Sequence, residues 1–363
     1  MIYLDANATE PLRPEAREAA LAAMDTLGNP SSIHAPGRAA RKILEEARET
    51  VARACAARPA DVIFTSGATE ANALAIHALG DGRKLLIGAT EHDSIRAAAP
   101  EADIIPVQAN GTADLAALEA LLKAHPNALV CLMAANNETG VLHGIEAIGA
   151  LCAAHGALLH VDAVQAIGRC NQDWLALGAA SFAISGHKFG GPMGAGALIL
   201  RRGLEIKPLT RGGGQEQGRR GGTPPLPAIA GLAAAIGKPY PAAQIAVLRD
   251  EIEAFCIAQG AVALGAGVPR LPNTTSLALP GIRAETQLIA LDMAGLAVSA
   301  GSACASGKLA PSHVLEAMGH AALAGQAIRV SLPWSATSAA VEKFCAAYAA
   351  MAKRALRAAA ALA

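Results

Sequence analysis

The chain is expected to fold as an α/β protein, with a large, mostly parallel-sheet domain over residues 13–255. A smaller α+β domain is expected from residues 1–12 and 256–363 together. Three observations predict this. Between residues 59 and 201, short apolar runs alternate with segments of helical period, the pattern of a parallel sheet covered on both faces. A Gly- and Pro-rich stretch, RGGGQEQGRRGGTPPLP from Arg211, then interrupts the alternation, and a shorter set of strand and helix signals follows it. With 363 residues, 53% hydrophobic and 17% charged, the chain has enough apolar side chain for a substantial core and is too apolar for disorder.

Taken in order, residues 2–4 are a short apolar strand ending at Asp5, and a polar turn leads to Pro11 and Pro14. Residues 15–27 are expected to be helical, and GNPSS from Gly28 breaks that helix. In 41–55, Ile43, Leu44, Ala47, Val51 and Ala54 share one helical face. Strands are then expected at 62–65, 84–88, 104–107, 129–134 and 158–161, with helices at 69–79, 114–124 and 145–155 between them. Two more strands, 182–185 and 196–201, flank a glycine-fenced lysine. After the Gly/Pro loop, whose length suggests function, a helix at 242–259 bridges to the second domain. Strands there are expected near 275–279, 297–299 and 328–332. The final helix, 338 to about 362, turns Val341, Phe344, Cys345, Tyr348 and Met351 inward, with Lys353, Arg354 and Arg357 near its favourable C-terminal end.

The bulk numbers exclude several classes. Thirty basic and thirty acidic residues cancel, which argues against a general nucleic-acid or membrane-surface binder. Seven cysteines without a CxxC pair suggest neither a zinc site nor a disulfide framework, so no metal is expected. No stretch has the apolar core of a signal peptide or the length of a membrane span, and the cytoplasm is the expected location. Gly191, Gly194 and Gly196 do not make a GxGxxG, and no HExxH occurs.

Ligands of open α/β sheets bind beyond the carboxyl ends of the strands, so the residues that follow each strand carry the functional signal. Ser66-Gly-Ala68-Thr69 opens a helix with small residues, as a phosphate cradle or an ordinary N-cap would. Glu91-His92 follow the next strand, then Asn136-Asn137-Glu138, then Asp162 with Gln165, then Ser185, His187 and Lys188. Singly, each has a bland reading: a surface lysine, a satisfied histidine, a helix-capping aspartate. Together they place an amine, a carboxylate, an imidazole, amides and a phosphate cradle at one sheet edge. Pyridoxal 5′-phosphate needs that set: a lysine for a Schiff base, an acid at the pyridinium nitrogen and a phosphate site. In the second domain Cys304 lies in a run of small residues, Ser299 to Gly307, as a buried cysteine or an accessible nucleophile.

These motifs resemble the cysteine desulfurases, pyridoxal-phosphate enzymes of the class V aminotransferase fold. The matching stretches are YLDANAT from Tyr3, GNPSSIH from Gly28, FTSGATEAN from Phe64, and EH at 91–92. NNETG from Asn136, VDAVQ from Val161, SGHKFGGP from Ser185, GGGQEQGRRGGT from Gly212 and GSACAS from Gly301 complete the set. The resemblance implies the fold type I architecture of pyridoxal-phosphate transferases, with the cysteine loop on the small domain. It implies Lys188 as the Schiff-base lysine, Asp162 at the pyridinium nitrogen, Gln165 and Asn137 near the phenolic oxygen, and His92 stacked on the ring. Ala68, Thr69, Ser185 and His187 would surround the phosphate, with Thr223 supplied by the other subunit of a homodimer. Arg329, with Asn137, would hold the substrate carboxylate, and Cys304 would accept sulfur. The implied reaction turns L-cysteine into L-alanine and leaves a Cys304 persulfide for an acceptor such as an iron–sulfur scaffold protein. His92 would act as proton donor or acceptor.

The chain departs from the family pattern at Ala6, Met193 and Gly221, where Asn, Lys and Ser are frequent, and at Pro333-Trp334, where Gly-Arg is usual. Its tail past Leu356 is alanine-rich. Three other readings compete: a selenocysteine lyase, an aminotransferase of the same fold, or an inactive sulfur-protein partner. Retention of Lys188, Asp162, His92 and Cys304 together speaks against the last, and the cysteine loop against the second.

Overall fold

The computed structural model describes residues 1–170, 172–301 and 310–362, with side chains as far as residue 355. The chain opens with β1 (Ile2–Tyr3), α1 (Pro14–Met24) and α2 (Ala35–Ala54). Alternation then sets in: β2 (Val62–Thr65), α3 (Ala68–Leu79), β3 (Leu85–Gly88), α4 (Asp93–Arg96), β4 (Asp103–Ile105) and α5 (Leu115–Ala124). It continues through β5 (Leu129–Met133), α6 (Ile145–Ala154), β6 (Leu158–Asp162), β7 (Ser181–Ser185) and β8 (Gly196–Leu200). Helices α7 (Leu226–Ile236) and α8 (Ala242–Ala258) precede β9 (Val262–Leu264), β10 (Thr274–Ala278), α9 (Ala284–Met293) and β11 (Leu296–Ala297). The chain finishes with α10 (His313–Ala317), β12 (Ala327–Ser331) and α11 (Ser338–Leu362).

Local chemistry sets the ends of these elements. The Asp114 carboxylate accepts from the amides of Ala116 and Ala117, which starts α5. His34 Nδ1 accepts from Gly37, and Pro36 in the first turn of α2 needs no amide partner. Strands β5, β7 and β8 are buried at every position, which is why they read as unbroken apolar runs rather than alternating ones.

The seven-stranded sheet has the order β2-β8-β7-β6-β5-β3-β4. Only β8 runs against the others, pairing antiparallel with both β7 and β2. The carboxyl ends of β2, β3, β5, β6 and β7 therefore share one edge. Gly196 permits the entry to β8: a Cβ there would meet Gly67 Cα at 2.7 Å and Ile184 O at 2.6 Å. The turn that starts α3 and the β7–β8 ladder close on each other through that missing side chain.

A second core forms around a three-stranded sheet, β12-β10-β9, and a two-stranded one, β1-β11. Leu4, Ile328, Val330, Phe344 and Tyr348 fill it, and the last two rings stand 5.8 Å apart, one helical turn along α11. Ile245, Leu248 and Ile252 of α8 belong to this core as well. We therefore place the division between the two units ahead of α8, near Pro239 and Pro241, rather than at residue 255. The N-terminal segment joins the smaller unit through β1, which pairs parallel with β11. Among the described residues no helix is long and apolar enough to cross a membrane.

Candidate active site

A cavity of about 680 Å³ opens at the shared carboxyl edge, between the sheet and the second unit. Ten of the twelve candidate residues line it: His92 after β3, Asn137 after β5, Asp162 and Gln165 at the end of β6, and Ser185, His187 and Lys188 after β7. Ala68 and Thr69 reach it from the start of α3, and Arg329 from β12. Thr223 is exposed and does not line the cavity of its own chain. Cys304 lies outside the described residues, while Gly301, three positions before it, is at the cavity wall.

The Lys188 amine donates to the carbonyls of Asn7 at 2.7 Å and Ala8 at 3.1 Å. Gln165 Nε2 donates to the same Asn7 oxygen at 3.0 Å. Asn7 is itself pinned on all sides. Its amide donates to Ser331 Oγ, its side-chain nitrogen to Asn137 O and Thr274 Oγ1, and its side-chain oxygen accepts from Asn273. A residue from the N-terminal segment thus fixes the resting place of the amine by gripping both units.

Asp162 is held by a buried chain of hydrogen bonds. Its Oδ2 accepts from Asn72 Nδ2 at 2.8 Å and its Oδ1 from the Val164 amide. With the Asn72 nitrogen turned to the carboxylate and to Ser94 Oγ, its oxygen must accept from His160 Nε2 at 3.0 Å. His160 is therefore the Nε2–H tautomer, and its Nδ1 faces Ser181 Oγ at 2.8 Å. Burial pushes the His160 imidazole down to about 3 and that of His143 down to about 4.

Both rings stay neutral in the folded chain, whereas in the unfolded chain they take up protons near pH 6.5. The unfolded state binds the additional protons between pH 6.5 and about 4, so stability is lost as the pH is lowered through that window, by up to roughly 3 kcal/mol for His143. Urea midpoints at pH 7.5, 6 and 5 test this. A fall of the midpoint below pH 6.5 is expected, and a flat profile contradicts it.

The end of the cavity at the start of α3 is rich in hydrogen-bond donors. Gly67 caps α3 without any side-chain hydrogen bond to the helix amides, so an anion can serve the N-terminus in place of a cap. Ser185 and His187 stand beside it. His187 is driven to about 4 by burial first and then by the Lys188 charge, and its Nδ1 lies 3.1 Å from Thr9 Oγ1. His92 caps α4 through Nδ1, which accepts from the Ser94 amide, so the ring orientation is fixed by the backbone.

On the opposite wall Arg329 donates through Nη2 to Asp5 Oδ1 at 2.6 Å and through Nη1 to Asn137 O at 3.0 Å. Glu138, next in sequence, is buried and pushed upward by that burial. It accepts from Ser312 Oγ at 2.5 Å and leaves no room for a side chain at Gly301.

A family profile described as Aminotransferase class-V matches residues 2–344. The chain belongs to that family. Among its curated relatives is an IscS-like cysteine desulfurase of Mycobacterium tuberculosis (strain ATCC 25618 / H37Rv), 38% identical over 368 residues and covering 94% of each protein. A cysteine desulfurase of Cereibacter sphaeroides is 39% identical over 363 residues, covering 94% of this chain and 93% of the relative. Among solved structures, a NifS-like protein from Rickettsia africae ESF-5 superposes with a TM-score of 0.89 at 36% identity, covering 97% of this chain and 99% of that one. Within the class-V family, the chain is thus of the cysteine desulfurase kind, a group of pyridoxal-phosphate enzymes.

Family membership makes the departures readable. Gly221 lies against Gly212, whose backbone nitrogen a Cβ would meet at 2.5 Å, so the serine frequent in other members does not fit this loop. Trp334 is turned away from the cavity. Its amide donates to Glu10 Oε1, its indole donates to Pro11 O, and Arg13 covers its ring at 5.1 Å. Met193 is 68% exposed and lines the cavity rim. The sequence reading missed Asp5, Asn7, Asn72 and His160. The first three sit inside the motifs already quoted. Asn72, on the first turns of α3, had the clearest signal, since no surface explanation suits an asparagine on the sheet-facing side of a buried helix.

Proposed function

We propose that this chain is a pyridoxal-phosphate-dependent desulfurase that takes sulfur from L-cysteine, releases L-alanine and holds the sulfur on Cys304 as a persulfide. The observation that carries this reading is the meeting of Lys188, Asp162, His92 and the uncapped start of α3 in one cavity, with Arg329 entering from the second unit. These residues fit pyridoxal phosphate. Lys188 supplies the amine, and Asp162, gripped by Asn72, the carboxylate for the ring nitrogen. The α3 N-terminus with Thr69, Ser185 and His187 supplies the phosphate donors. Bound there, the cofactor would provide an electron sink beside the substrate Cα.

The chain's own residues do the rest. Arg329 takes the substrate carboxylate, a planar target suited to its guanidinium. Lys188 would move the Cα proton, and His92 would serve the later proton transfer. The Cys304 thiolate attacks the substrate sulfur. A sulfur–sulfur bond forms, the carbon–sulfur bond breaks with its electron pair left on carbon, and protonation there gives alanine. Cysteine and the Cys304 thiol thus become alanine and a Cys304 persulfide, with no external oxidant.

A homodimer in the cytoplasm is part of the reading. The partner loop around Thr223 would complete the phosphate site, and the exposed apolar surface of Tyr3, Leu12 and Met193 suits burial in a subunit contact. The acceptor would be a sulfur-receiving protein such as an iron–sulfur scaffold.

The test is alanine and sulfide release from L-cysteine with a thiol reductant, in wild type and Cys304→Ala, with the cofactor absorption band recorded on both. Alanine from the wild type, and turnover lost in the variant with its band intact, is expected. No turnover in either protein despite a normal band would overturn the reading and point to selenocysteine or transamination.

A further inference from the structure

Arg329 does not face the cavity as an unattended cation. Its Nη2 is 2.6 Å from Asp5 Oδ1, its Nη1 is engaged by Asn137 O, and its Nε is buried without a partner among the described residues. The two side chains are 6% and 19% exposed, so the pair is little screened by solvent. Asp5 itself lines the cavity. It is also firmly placed. Its carbonyl accepts from the Ala8 amide at 3.0 Å and from Tyr3 Oη at 2.8 Å, and its backbone bridges to Ser331 on the strand that carries Arg329.

The other cavity carboxylates are occupied elsewhere. Glu70 is paired with Arg220 at 2.6 Å, and Asp162 is held by Asn72. Among the described residues lining the cavity, Asp5 is thus the carboxylate paired with the guanidinium; Glu138 behind it is buried, with its carboxyl pushed upward by that burial. An amino acid whose carboxylate reaches Arg329 joins a pair that is already neutral. One negative charge is tolerated, because the guanidinium retains donors that Asp5 does not use. A second one, on the side chain, enters a cavity that Asp5 also lines, and among the described residues Arg329 is the cation on this wall.

We propose that Asp5 is a specificity-determining residue: it makes the site select amino acids with uncharged side chains and reject those with a second carboxylate or sulfinate. This rests on Arg329 as the carboxylate site, as proposed above. Two unit charges held a few ångströms apart in a partly buried site repel enough to shift binding by about tenfold or more.

L-Asparagine and L-aspartate test this directly, because they have nearly the same shape and differ by the side-chain charge. Their binding to the cofactor-loaded protein is read by calorimetry and by absorbance change, neither of which requires turnover. A failure of desulfurase activity therefore leaves this measurement intact. In the wild type, asparagine is expected to bind at least about tenfold tighter than aspartate. In Asp5→Asn, where the amide keeps a hydrogen bond to Arg329 but loses the charge, that ratio should shrink to within about threefold. The ratio, rather than either affinity, is the criterion, since an Asp5 that merely orients Arg329 would weaken both ligands equally. Equal binding of the two ligands to the wild type, or a ratio unchanged in Asp5→Asn, overturns the proposal. If Asp5→Asn does not fold, Asp5→Ser and the wild-type ratio decide it by the same criterion.

Discussion

Replacing Lys188 by alanine is expected to lower L-alanine release by about 10³-fold or more, the loss that accompanies removal of a group serving as both covalent anchor and proton carrier. Its amine lies on the carbonyls of Asn7 and Ala8, and the side chain is no part of the apolar cores, so the change removes polar contacts rather than core packing. Thermal stability of the cofactor-free protein should therefore move little. Lys188→Arg should not rescue turnover, since a guanidinium stays protonated and cannot act as a base. Steady-state alanine release, together with absorbance after gel filtration, checks both statements. Activity within tenfold of wild type in Lys188→Ala would remove the lysine from the chemistry.

The second large effect concerns stability. Glu216 and Arg48 face each other with two hydrogen bonds, 2.7 and 2.8 Å, and their side chains are 2% and 7% exposed. Glu216 also accepts from the Phe64 amide at 2.9 Å, and the Arg48 guanidinium lies 4.8 Å above the Phe64 ring. The glycine-rich loop is thereby fastened to β2 and, through Arg48, to α2. Glu216→Ala takes the two-pronged acceptor from the Arg48 guanidinium, leaving it the half-exposed Glu45 and the Val62 carbonyl, and leaves the Phe64 amide without its carboxylate; a loss of about 3 kcal/mol is expected. Arg48→Met with Glu216→Leu together should cost less than Glu216→Ala alone, because the buried charge is removed and the Glu45 carboxylate left behind is half exposed to water. Urea unfolding of the three proteins decides it. A loss under about 1 kcal/mol for Glu216→Ala would contradict the account.

The parts of this site that a reader of the sequence can find are those fixed by strand ends. Lys188, Asp162, His92 and Asn137 each directly follow an apolar run, and the sheet topology brings such positions to one edge without further information. Asp5 and Arg329 are different. They are 324 positions apart, and nothing local in either stretch names the other. His160 looks like one more residue inside a buried strand, and only its three-dimensional neighbours reveal that it supports Asp162.

Helices α7 and α9 left no periodic signal for a similar reason. Residues of α7 are apolar nearly all round, behind two prolines and with a third in its first turn, and α9 mixes polar and apolar residues without a single stripe. The apolar positions of α8 were legible, but periodicity reports that a face is buried and not which core receives it. Thr223 is exposed and does not line the cavity of its own chain, so its part in the site rests on the proposed dimer.

The grip of Asn7 on both units has a consequence for biosynthesis. Its partners include Ser331, which leaves the ribosome 324 residues later. At bacterial-like elongation rates of about 5–20 residues per second, the amino-terminal segment waits on the order of tens of seconds before its binding groove exists. The large sheet can assemble meanwhile, yet the rest position of the lysine amine cannot. A nascent chain held just short of β12 would carry every strand of the main sheet and still lack a finished cofactor pocket. Loading of this enzyme is therefore expected to be a late, post-translational event, gated by the arrival of its last strand.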